Sequence, residues 1–162
     1  MAKNVKGLSI DVRDNPGGVL GIVEKMADML IPEGNVVYTI DKNGNRQDYK
    51  SDANCINIPL AVLVNGNSAS ASEIVSGCLQ DYGKAKLVGT TSFGKGIVQY
   101  VLPLGDGSAI KLTSAKYYTP NGRNIHGTGI DPDVEVELNS DSETDTQLEK
   151  ALEIVLQEIQ AK

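Results

Sequence analysis

Residues 58–64, Ile-Pro-Leu-Ala-Val-Leu-Val, constrain this 162-residue chain more than any other stretch. The run is too short to span a membrane and has no polar alternation, so it predicts a strand covered on both faces. A small-residue turn at Gly66–Ser72 follows, then a helix from Ala71 to about Asp81 and a short strand at Lys86–Gly89. Such a βαβ unit demands a parallel sheet with a right-handed crossover.

The first 50 residues repeat the theme. Leu8, Ile10 and Val12 alternate with Ser9, Asp11 and Arg13, which predicts a strand. It stops at Asp14-Asn15-Pro16-Gly17-Gly18. From Val19 to Leu30 the residues Ile22, Val23, Met26, Met29 and Leu30 recur at helical spacing. Val36–Ile40 and a return strand to about Tyr49 predict a hairpin, with Asn43-Gly44 as a type I′ turn. A longer hairpin pairs Ile97–Leu104 with Ser108–Tyr118 through Gly105-Asp106-Gly107. After a Gly- and Pro-rich loop, Val134–Leu138 reads as a short strand. Residues 139–146 are polar and read as a connector, and Leu148, Ala151, Leu152, Val155 and Ile159 mark the inner face of a closing amphipathic helix. The class is α/β, divided into a core over residues 1–138, a linker over 139–146 and a helix over 147–162.

Composition narrows the chemistry. With 15 Lys+Arg against 21 Asp+Glu the net charge is −6, which argues against nucleic acid as partner. No apolar run approaches a membrane span and Met1-Ala2-Lys3-Asn4 opens no signal sequence, so no membrane contact is expected from this chain. Trp is absent and Phe93 is the single Phe, so the core is aliphatic. His126 is the single His, which excludes an HExxH zinc site, and Cys55 and Cys78 are too few for a four-thiolate site. Neither a metal nor a cofactor is expected. The chemistry is left to hydroxyls, amines, carboxylates and backbone.

Three segments carry groups of that kind. Asn67-Ser68-Ala69-Ser70-Ala71-Ser72-Glu73 joins the buried strand to a helix, whose N-terminus offers unpaired N–H groups. Ser70 there is either a nucleophile beside oxyanion donors or the cap of an S-x-x-E capping box with Glu73. A serine nucleophile needs a base. His126 is one candidate by residue type; the other is Lys95, set between two glycines beside Phe93. Moving a lysine from ~10.4 to near 7 takes roughly 4–5 kcal/mol of differential desolvation. In an extended segment Lys95, Ile97 and Gln99 share a face, so the Gln99 amide could steady the amine. The third segment, Asn15-Pro16-Gly17-Gly18, either presents an N–H to an oxyanion or makes a tight turn, and it is neither a GxGxxG nor a Walker loop.

Four blocks, Leu8–Gly18, Val64–Ile74, Gly89–Gln99 and Tyr117–Arg123 through Gly129–Asp133, resemble in order and spacing the C-terminal processing peptidases, or tail-specific proteases, of serine peptidase family S41. The resemblance implies a crotonase-like, ClpP-like core with βαβ units and added hairpins. It also implies a Ser-Lys dyad: Ser70 as nucleophile, Lys95 as general base and Gln99 orienting Lys95. The N–H of Ala71 with one from Gly17 or Gly18 would form the oxyanion hole, and Asp81 matches an acidic position with a supporting role. The implied activity is endopeptidase cleavage near the C-terminus of a protein substrate, outside the cytoplasm. An N-terminal helical segment, a PDZ domain and upstream core strands of the family are not in this sequence, so weak activity and an open sheet edge suited to homodimerisation are expected. The alternative class is a binding module similar to the interphotoreceptor retinoid-binding proteins, which has no need of Ser70, Lys95 and Gln99 together. A crotonase-type acyl-CoA enzyme would share only the architecture.

Overall fold

A computed structural model describes residues 4–139 and 143–161. In chain order the elements are β1 (Leu8–Asp11), α1 (Leu20–Asp28), β2 (Gly34–Asp41), β3 (Arg46–Ser51), β4 (Leu60–Val64), α2 (Ala71–Asp81), β5 (Ala85–Gly89), β6 (Ile97–Pro103), β7 (Ala109–Tyr118), β8 (Val134–Glu135) and α3 (Thr146–Gln160). They build a parallel sheet of order β1-β4-β5-β8 and an antiparallel sheet of order β3-β2-β7-β6.

β4 is central because it is apolar on both faces. Leu60, Val62 and Val64 enter a core with Val23 and Ala27 of α1 and with Ile74, Val75, Cys78 and Leu79 of α2. Ala61 and Leu63 point the other way, onto Ala151 and Val155 of α3, as the two-residue strand period requires. The expected continuous strand is therefore present and covered on both sides.

Several local readings shift. A type I′ turn needs positive φ at both Asn43 and Gly44, and only Gly44 has it, at 83°. The Asp41 carboxylate accepts the N–H of Asn43 at 2.8 Å and of Asn45 at 2.9 Å, while Gly44 N donates to Asp41 O. The side chain thus closes a longer loop in place of the two-residue turn. In α1 the inward residues are Val23 and Ala27, whereas Ile22 is exposed. In α3 the inner stripe is Gln147, Ala151 and Val155, with Leu148 and Leu152 outward. The rotation has a cause: Gln147 donates to Val136 O at 2.7 Å and accepts from Arg13 at 3.0 Å, which draws position 147 inward.

Arg13 also grips Asp145, donating to Oδ1 at 2.9 Å and to Oδ2 at 2.7 Å, and Asp145 caps α3 by accepting from Leu148 N. Residues 145 and 146, read as connector, belong instead to the start of the helix. Residues 140–142 of that connector lie outside the described residues. No helix among the described residues is long and apolar enough to cross a membrane.

Candidate active site

The loops that leave the carboxyl ends of β1, β4 and β5 meet at one edge of the parallel sheet, where open α/β sheets place their ligands. Polar bonds stitch them together. Ser68 Oγ, fully buried, donates to Val12 O at 2.7 Å. Ala69 N and Ser72 Oγ both donate to Asn15 O at 3.0 Å, and Phe93 N donates to Ser68 O at 3.0 Å. Asp14 accepts from the side-chain amides of Asn65 and Asn67, which hold its carboxyl below the usual range.

Ser70 sits at the turn from β4 to α2 with φ 57° and ψ −115°. This is outside the extended region an ordinary N-cap adopts, and a non-glycine residue held there costs about 1–3 kcal/mol. Such an elbow projects a side chain from the end of a sheet, as nucleophile elbows do. Glu73 holds it in place. Its carboxylate is wholly buried; Oε2 accepts from Ser70 N and Lys95 N, each at 2.8 Å, and Oε1 accepts from Ser92 Oγ at 2.6 Å and Gly94 N at 2.7 Å. Ser92 Oγ in turn accepts from Ile130 N at 2.8 Å, so its proton is directed to Glu73. The capping-box pairing of Glu73 with the Ser70 N–H is real, yet it is one of four bonds to this carboxylate, and the other three join the second loop to the third.

Ser70, Ala71, Gly18, Lys95, Gln99 and Tyr117 share a cavity of about 410 Å³, walled by Val19, Leu20, Ile74, Ile97, Val98 and Tyr100. Lys95 is half-buried, and among the described residues its ammonium group has no ion pair or hydrogen bond. Gln99 reaches the same cavity, but its amide nitrogen donates to Thr113 Oγ1 at 3.2 Å. The register of β6 with β7 slips between Val98 and Gln99, leaving Ser114 as the extra residue at that point. The two glycines separate. Gly17 N donates to Asn15 Oδ1 at 2.9 Å, whereas Gly18 N is uncommitted among the described residues. A Cβ on Gly17 would lie 2.5 Å from Ala69 O, so this glycine is what lets the first loop close on the elbow.

Other sequence-singled residues lie elsewhere. Asp81 ends α2, at the opposite end from Ser70, where its Oδ2 accepts from Asn121 N at 2.8 Å and its Oδ1 pairs with Arg123. It braces the loop over residues 119–123 and does not line the cavity. His126 is exposed and outside the cavity, as is Phe93, so that ring does not bury Lys95. Cys78 is buried, and burial pushes its thiol up to about 12. Tyr117 carries no motif that marks it as functional in the sequence. Its hydroxyl is within reach of Ser70 O at 3.2 Å and, closer, of Lys95 O.

A strained serine elbow beside an uncommitted lysine and free N–H groups, at the carboxyl edge of a parallel sheet, is the arrangement of a serine-type hydrolase. The model of Peptidase family S41 matches residues 1–136, and the chain belongs to that family. It is 47% identical over 136 residues to the carboxy-terminal-processing protease of Bartonella bacilliformis, covering 82% of this chain and 31% of that protein. With the carboxyl-terminal-processing protease of Synechocystis it shares 40% over 156 residues, covering 92% of this chain and 36% of the relative. The solved photosystem II D1 C-terminal processing protease superposes with a TM-score of 0.76 at 38% identity, over 93% of this chain and 39% of that one. The chain thus spans about a third of the length of the curated relatives it matches.

Proposed function

We propose that this chain carries the catalytic centre of a serine endopeptidase that cleaves near the C-terminus of protein substrates, on a crotonase-like core. The observation that carries the reading is the single cavity shared by Ser70 on its elbow and the uncommitted Lys95. Neutral Lys95 takes the Ser70 hydroxyl proton as Oγ bonds to the peptide carbonyl carbon. The N–H groups of Ala71 and Gly18 receive the developing oxyanion, since the Gly17 N–H is spent on Asn15. The C–N bond then breaks, Lys95 returns the proton to the leaving amine, and water hydrolyses the ester with Lys95 again as base. Thr113 holds the nitrogen of Gln99, which leaves the amide oxygen of Gln99 to accept from Lys95.

β6 closes one edge of the antiparallel sheet, and its residues Ile97–Tyr100 line the cavity. An extended substrate can pair with that edge while its side chains meet an apolar wall. An apolar-ligand binding module would account for the wall but not for the strained serine. The outer edge of β1 is unpaired among the described residues and is where a second copy would join in a homodimer, which sedimentation tests. By its family likeness the full protein works outside the cytoplasm, which cell fractionation tests.

The deciding experiment is labelling with a fluorophosphonate, with the adduct located by mass spectrometry. An adduct on Ser70, lost in Ser70→Ala and slowed at least about a hundred-fold in Lys95→Ala, is expected. Labelling that survives Ser70→Ala would overturn the assignment.

A further inference from the structure

We propose that Tyr117 is a positioning residue that, together with Glu73, clamps the backbones of Ser70 and Lys95 at a fixed separation. The proposal rests on the reading of these two residues as nucleophile and base. Ser70 and Lys95 stand on different loops, after β4 and after β5, and no covalent feature sets their spacing. Two side chains do so from opposite ends of the same two residues. Glu73 Oε2 accepts the N–H of Ser70 and the N–H of Lys95, each at 2.8 Å. The Tyr117 hydroxyl faces the C=O of Ser70 at 3.2 Å and the C=O of Lys95. Lys95 is therefore gripped at both its donor and its acceptor, and the single phenol proton, given chiefly to Lys95 O, reaches Ser70 O as the longer arm of a shared contact.

The chemistry of the two grips is complementary. A carboxylate can only accept, and it meets two N–H groups. A phenol hydroxyl can donate, and it meets two carbonyls, of which Ser70 O also accepts from Ile74 N within α2. Tyr117 belongs to β7, in the other sheet, and its own N–H donates to Gly96 O at 3.1 Å. The antiparallel sheet thus reaches the catalytic loops through this residue. Burial, reinforced by the nearby Glu73 charge, raises the Tyr117 hydroxyl far above the tyrosine range, so it keeps its proton at any working pH. At 2% exposure the ring also fills core space, and Tyr117→Phe keeps the ring while deleting only the clamp.

The test uses this chain and the longest natural polypeptide that carries it, with Tyr117→Phe, Ser92→Ala and the double variant. Ser92→Ala removes a donor that anchors Glu73 and so loosens the other jaw. A clamp that slips by a fraction of an ångström slows the chemical step without weakening substrate binding. The expected result is a fall in kcat of about ten-fold or more in Tyr117→Phe, with KM within about two-fold and an unshifted pH profile. The double variant should lose less than the product of the single effects, since both act on one spacing. Full kcat in a folded Tyr117→Phe, or a change confined to KM, overturns the clamp. If Tyr117→Phe does not fold, Ser92→Ala decides: reduced kcat at constant KM supports the clamp and unchanged kcat refutes it. Ser70→Ala is the control that separates the two claims, because cleavage surviving in that variant refutes the dyad itself.

Discussion

Gly17 and Gly18 are adjacent and identical, yet an alanine at each should have opposite consequences. Gly17 has φ of 101°, and a Cβ there would lie 2.5 Å from Ala69 O, 2.8 Å from Ala71 N and 2.9 Å from Ser70 Cβ. Two of these atoms are backbone of the elbow, which Asn15 O already pins through Ala69 N and Ser72 Oγ. The positive φ alone costs about 1–3 kcal/mol. Relieving the collision moves the loop and the elbow apart by on the order of 1 Å, a displacement that costs about a hundred-fold in rate when it falls between reacting groups. Gly17→Ala should therefore lose about 2–4 kcal/mol of stability and about two orders of magnitude in fluorophosphonate labelling. At Gly18 no atom lies within 4 Å of a Cβ and φ is not in the left-handed region. Gly18→Ala keeps its N–H and stiffens the unfolded chain, so stability should hold or rise by about 0.4–1 kcal/mol. Urea titration reads the first quantity and the second-order labelling rate the other. Equal damage at both positions, or normal labelling and stability in Gly17→Ala, would refute the close-approach reasoning.

Asp81→Ala should leave labelling within about three-fold of the unchanged chain while costing about 0.5–1.5 kcal/mol, because it removes the acceptor of the Asn121 N–H and one of the two partners of Arg123, which keeps Gln80, without touching the cavity; a large loss of labelling in a folded variant would instead make Asp81 part of the chemistry. Of the two thiols, a disulfide reagent at pH 8 should modify Cys55 alone in the native protein, with Cys78 reacting only on unfolding, since it is buried and its thiol is pushed up to about 12. Asp145 is held below the usual carboxylate range chiefly by its hydrogen bond from Arg13. A depressed folded value means that its contribution is complete above about pH 4–5 and fades as the pH falls through that folded value, so acidification from pH 5 to 3 should destabilise the native chain more than Asp145→Ala, which starts about 1 kcal/mol lower from the lost cap; parallel pH curves would contradict this.

Legibility differed according to what kind of contact carried the information. β4 could be read because burial on both faces leaves an uninterrupted apolar run, and the turn after it because small residues must bridge strand and helix. Residue types left Ser70 as cap or nucleophile and the base as His126 or Lys95; the family resemblance joins Ser70, Ala71, Lys95 and Gln99 with Gly17 or Gly18, and of these all but Gly17 line the one cavity. Glu73 was visible only as a capping partner. Its bonds to Lys95 N, Gly94 N and Ser92 Oγ cross between loops and end largely on backbone, which leaves no mark in residue type. Tyr117 is silent for the same reason, since both its partners are carbonyls. The division of labour between Gly17 and Gly18 turns on where the Asn15 side chain points, and α3 rotated because a buried Gln147, not an apolar residue, satisfies Val136 O and Arg13. Polar contacts over long sequence distance override a hydrophobic stripe when the stripe has spare leucines, here Leu148 and Leu152.

The same contacts decide whether the core can stand without α3. The family model ends at residue 136 and α3 begins at Thr146, which invites the view that the helix is an appendage. Yet Leu63 and Val88 are wholly buried, and the residues that cover them are Ala151 and Val155. Returning Leu63, Val88 and Ala61 to water costs on the order of 5 kcal/mol, comparable to the whole stability of many domains. The helix also supplies Asp145 and Gln147 to Arg13, which lies just before the Asn15–Gly18 loop. Truncation after Leu138 should therefore abolish the cooperative urea transition, and with it labelling of Ser70. A truncated chain that still unfolds cooperatively, with a midpoint within about 0.5 M urea of the full chain, would make α3 a separable unit and would require that face of the sheet to tolerate water.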